Sequence, residues 1–103
     1  MTVLTEWTEL DQALPTFAVL VRFLEVAPDR ETARDQVTQR LSARGEPFEE
    51  VTAAPHAIDG RWVVTARFVV VSVEPHTAVA GVHDSLRRDG VSFQEVWADA
   101  RCA

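Results

Sequence analysis

From Phe17 to Glu25 the apolar positions alternate. Phe17, Val19, Val21 and Phe23 fall on one side, and Ala18, Leu20, Arg22 and Leu24 on the other. A period of two predicts a strand. After Pro28-Asp29 the pattern stretches: Ala33, Val37 and Leu41 form a row one helical turn apart, and Gly45 follows. That predicts a helix with Asp29 as N-cap and Gly45 just past the C-cap, whose charged residues Arg30, Glu31, Arg34, Asp35, Arg40 and Arg44 read as a solvated face. Two strand-like runs come next, Phe48 to Ile58 and Arg61 to Glu74, joined at Asp59-Gly60. Asp-Gly between such runs predicts a tight hairpin, in the form where both central residues take φ > 0. Pro75 ends the second run, and Val79, Val82 and Leu86 mark another helix up to Gly90. Val91 to Asp99 is the last predicted strand.

The order β-α-β-β-α-β predicts an α+β, ferredoxin-like sandwich over residues 17–103, with a four-stranded antiparallel sheet in the order 4-1-3-2 and two helices on one face. The Arg61 run is apolar on both faces, as a central strand should be. The more aromatic sets, Phe17/Val19/Val21/Phe23 and Trp62/Val64/Ala66/Phe68, belong beneath the helices. The opposite sets then form an uncovered face: Leu20, Arg22, Leu24, Val63, Thr65, Arg67, Val69 and Val71. So apolar a patch predicts burial against a second copy of the chain, sheet to sheet about a two-fold axis.

Arg22 and Arg67 interrupt that patch near its middle. An arginine buried there requires a counter-charge, which Glu95 or Asp99 on the last strand, or Glu49 or Glu50 on the second, would provide. The other reading is that the two arginines line a cavity and hold a carboxylate or phosphate. Leu20, Val69 and Trp97 complete that candidate ligand site. The last strand does not orient itself. Phe93, Glu95 and Trp97 share one face and Gln94, Val96 and Ala98 the other, and neither is cleanly apolar.

Residues 1–16 read as an arm ahead of the domain. Leu4, Trp7, Leu10 and Leu14 recur every three or four positions, a short amphipathic helix that Pro15 would end. The 103 residues suit one domain and no second core. Net charge is −6, which argues against nucleic acid or an anionic membrane as partner. All ten basic residues are Arg, and Lys, Asn and Tyr are missing, the codon bias of a G+C-rich bacterial genome. The single cysteine, Cys102, allows no internal disulfide or C-x-x-C pair, and reads as a frayed, solvated thiol. The apolar run near Ala18–Leu24 is too short to span a bilayer, and no basic stretch precedes an apolar core at the N-terminus. These features predict a cytoplasmic protein.

Catalytic motifs are missing from the sequence. There is no G-x-S-x-G elbow, no G-x-G-x-x-G and no P-loop, so no nucleotide cofactor is expected. His56, His76 and His83 lack the spacing of a metal pair and read as surface histidines, a general base being the other reading of each, so no metal is expected either. RNA-recognition domains share this topology but carry aromatics on the open face of the central strands, where this chain has Leu, Val, Thr and Arg. Metal chaperones on this fold carry C-x-x-C before the first helix, and amino-acid-sensing regulatory domains favour a Gly-containing turn there. Glu25-Val26-Ala27-Pro28-Asp29 has neither. At the level of the fold alone the arrangement is similar to dimeric α/β-barrel proteins, whose two sheets enclose a pocket for small, often aromatic, metabolites. That likeness implies a homodimer with a small-molecule ligand between its sheets. A non-catalytic interaction or regulatory module using the same face only for assembly is the alternative. No residue is assigned a catalytic role.

Overall fold

The computed structural model describes residues 14–102. Of the arm predicted over residues 1–16, residues 1–13, with nearly all of its expected helix, therefore lie outside the described residues. The element order is β1 (Thr16–Val26), α1 (Arg30–Ala43), β2 (Glu50–Pro55), β3 (Arg61–Val71), α2 (Pro75–Arg88) and β4 (Glu95–Cys102). The four strands form one antiparallel sheet in the order β2-β3-β1-β4, the ferredoxin-like arrangement that the alternation predicts. β1 and β3 pair along their whole length, from Thr16 opposite Val71 to Val26 opposite Arg61. Among the described residues no helix is long and apolar enough to cross a membrane.

Local chemistry accounts for the boundaries. The Asp29 carboxylate accepts from the Thr32 N–H at 2.8 Å and starts α1. Pro75 sits in the first turn of α2, where a missing N–H costs nothing. Both helices close with the same motif. In α1, Gly45 has φ +69°, its N–H donates to Ser42, and the next N–H, of Glu46, donates to Leu41. In α2, Gly90 has φ +73°, its N–H donates to Arg87, and the N–H of Val91 donates to Leu86. This double bond pattern is the Schellman closure, which packs the residue after the glycine against the last turn. Val91 suits that slot. Glu46 occupies the equivalent slot and is buried there.

The hairpin turn differs from its predicted form. Gly60 has φ +79°, but among the described residues no non-glycine residue has positive φ, so Asp59 does not share the left-handed conformation. The Arg61 N–H donates to the Ile58 carbonyl, closing a turn that needs φ > 0 only at its third residue. β2 is also shorter than the run Phe48 to Ile58 suggests, and β4 begins later and ends later than Val91 to Asp99. Cys102 consequently pairs with Phe17 inside β4 rather than lying in a frayed tail.

The core lies between sheet and helices. Phe17, Val19, Val21 and Phe23 of β1 and Val64, Ala66 and Phe68 of β3 are buried against Ala33, Val37 and Leu41 of α1 and Ala78, Val82 and Leu86 of α2. Each such large side chain contributes about 1.5–3 kcal/mol by leaving water. Trp62 packs on the edge of this cluster, and its indole N–H donates to the Ala27 carbonyl at 3.0 Å. Arg40 is not part of a solvated helix face. It forms a two-pronged bond with Glu25, at 2.8 and 3.2 Å, and the Glu25 side chain is 8% exposed.

Candidate functional site on the open sheet face

The register settles the orientation of β4. Trp97 lies opposite Leu20, and Glu95 opposite Arg22, so both share the uncovered face while Val96 packs on the core. Arg22 is the hub. Its Nη1 meets Glu95 Oε2 at 3.0 Å, and its guanidinium carbon stands 5.1 Å from the centre of the Trp97 ring. The Arg22 and Glu95 side chains are 40% and 52% exposed. At that exposure the ion pair contributes under about 1 kcal/mol, and the cation–π contact a similar amount.

Beside this pair lies a depression of about 500 Å³. Arg22 and Trp97 form one side of it, and Leu24, Val63 and Thr65 lie across the strands. The end of β2 closes the other side, with Ala54, Pro55 and His56, and Gln94 stands near Trp97. Arg22 is the one side chain of fixed charge among the lining residues, and Glu95 balances it from beside them.

The five predicted site residues do not all meet there. Arg22 and Trp97 do. Leu20 and Arg67 form the next cross-strand row, with Trp97 on one side of Leu20 and Arg67 on the other. Arg67 is held by an ion pair with Glu49. Val69 is opposite Ala18, further along β3, and does not line the depression. Thr65 and Gln94 were not candidate site residues on the sequence, and His56 was one only as a general base. Thr65 belongs to the predicted open-face set, and His56 reaches the site because its N–H continues the pairing of β2 with β3, opposite Arg61 and on the side of Ala54.

Other polar clusters are structural in character. His76 approaches Glu74 at 3.2 Å, and His83 packs edge-on to Phe93 with Asp84 3.5 Å from its Nδ1. Among the described residues no group of three or more His, Cys, Asp or Glu could hold a metal ion. Glu46 is more unusual. Its Oε1 is buried without a hydrogen-bond partner among the described residues, and its carboxyl lies against that of Asp89. Burial first, then the hydrogen bond and negative charge of Asp89, push the Glu46 carboxyl up to about 7, against the opposing pull of Arg88.

Comparison with protein-family models, with curated proteins and with solved structures finds no match for this chain.

Proposed function

We propose that the chain pairs with a second copy of itself through the open sheet face and binds a small anionic metabolite between the two sheets, in the manner of dimeric α/β-barrel proteins. The observation that carries this reading is the depression beside Arg22. It combines one half-exposed guanidinium, an aromatic wall at Trp97 and an apolar floor at Leu24 and Val63. Its volume falls within the range of small-molecule pockets, roughly 300–1,000 Å³. The need for a second copy follows from the rest of the face. Val69 is 40% exposed and Val71 62%, and Leu24, towards the other end of the β1–β3 pair, is 40% exposed. A facing sheet would cover these side chains and close the depression.

One observation favours the alternative of a purely structural interface: both arginines already have acid partners within their own chain, Glu95 and Glu49. Sedimentation and thermal melts separate the readings. Ligand binding predicts a dimer whose melting temperature rises with a panel of aromatic carboxylates, and an Arg22→Met variant that stays dimeric and loses that rise. A dimer that responds to no acid leaves the assembly-only role. A monomer at micromolar concentration removes both.

A further inference from the structure

His56 adds a second point of recognition to this depression. Its backbone N–H donates to the Arg61 carbonyl at 3.1 Å, which ties it to β3 beyond the end of β2. Its ring Nδ1 accepts the N–H of Ile58, also at 3.1 Å. A ring that accepts at Nδ1 carries its proton on Nε2. The half-buried ring lines the depression, and Nε2–H is the one donor of that ring. Arg22 supplies the other donor group, on β1. Arg22 is opposite Thr65 on β3 and His56 is bonded to Arg61, so their backbones lie two strand spacings apart across the sheet and four residues apart along it, about 16 Å. Between them the floor is apolar: Leu24, Val63 and Ala54. No acidic side chain is among the lining residues.

We infer that the depression selects elongated aromatic acids with a neutral hydrogen-bond acceptor at the end distal to the carboxylate, Arg22 taking the carboxylate and His56 Nε2–H the acceptor. This rests on the ligand-binding reading above and narrows it to a substrate class. An elongated ligand spans the distance between the donors, and a flat ring matches the apolar floor. A neutral acceptor suits the far end, because a second carboxylate would meet one uncharged donor within a chain of net charge −6.

Calorimetric titration of the full chain tests this with three probes: 3-phenylpropanoate, its 4-acetyl derivative, and its 4-aminomethyl derivative, which offers only donors when protonated. The acetyl compound should bind about tenfold more tightly than the parent, the effect of one added hydrogen bond. The aminomethyl compound should gain nothing. His56→Asn keeps an acceptor for the Ile58 N–H but is too short to reach the ligand. It should lose the acetyl preference and keep the parent's affinity. His56→Gln places an amide donor near the Nε2 position and should restore the preference. Suppose the parent acid binds in an Arg22-dependent way. Then equal affinity for parent and acetyl compound, a gain from the aminomethyl group, or a preference that survives His56→Asn overturns the inference and leaves the ligand-binding reading in place. Binding by none of the acids overturns both.

Discussion

Replacing Glu46 with glutamine should change how stability depends on pH. Glu46 is 7% exposed, and its carboxyl is pushed up to about 7, from an ordinary value of 4.5, by burial and by Asp89. The folded chain therefore holds a proton there that the unfolded chain has already released. A raised carboxyl contributes its full share of stability below about pH 4.5 and loses it as pH rises to about 7. A shift of that size corresponds to at most about 3 kcal/mol, lost across that window. Against a total stability of about 5–15 kcal/mol, such a loss is easily measured. Glu46→Gln keeps the shape, can donate from its amide to Asp89, and does not titrate. Urea unfolding at pH 5, 6, 7 and 8 should show the native chain losing ground to the variant by about 2–3 kcal/mol between the ends of the series, with the variant the more stable above pH 7. Subtracting the two profiles cancels the histidines and the carboxylates remote from Glu46, leaving the joint titration of Glu46 and Asp89. A difference that stays constant from pH 5 to pH 8 would refute the reasoning, because Glu46 would then be ionised throughout.

Three further outcomes follow from the packing. Arg40→Met strands the buried Glu25 carboxylate and should cost about 2–3 kcal/mol in urea unfolding at pH 7, whereas Arg22→Met, at a half-exposed pair, should cost under about 1 kcal/mol. Gly60→Val forces a β-branched residue to φ +79° where its Cβ meets nothing within 4 Å, so the cost is purely conformational, about 1–3 kcal/mol, and a thermal melt should show it. Leu20→Asp or Val69→Asp, both on the open face, should leave the monomer folded by circular dichroism and shift sedimentation from dimer to monomer; an unchanged dimer would place the interface elsewhere.

Much of the fold is legible in the sequence because each cue is local. Alternation assigns the buried and open sides of β1 and β3 residue by residue, and Gly45 and Gly90 mark both helix ends. The misreadings come where a local cue has more than one structural solution. Asp-Gly suits a turn with two left-handed residues, but the extra residues before it, His56 to Ile58, permit a turn in which glycine alone is left-handed. Charged residues on α1 read as solvated, yet Glu25 shares its side of β1 with Phe17 through Phe23, which places a carboxylate under the helix and draws Arg40 to it. The burial of Glu46 was within reach of the sequence. Gly45-Glu46 and Gly90-Val91 are equivalent pairs after equivalent helices, and the closing motif buries the second member of each.

The site was less legible because it depends on register across four strands. Nothing in the pattern of β4 says that Glu95 rather than Gln94 faces Arg22, and that one-residue choice decides whether Trp97 reaches the site. Once the register is known, the two kinds of arginine in this chain separate on physical grounds. Arg40 grips a buried carboxylate with two bonds, and removing or redirecting it would leave a charge in the core. Arg22 meets a carboxylate that is itself half in water, through a single short contact. A ligand carboxylate can replace Glu95 at Arg22, since the released Glu95 regains its hydration and the exchange is nearly even. Such an exchange at Arg40 would cost several kcal/mol. Arg22 is therefore free to take a ligand within that depression because so little holds it in its present partnership, and the mere presence of an arginine there would not suffice.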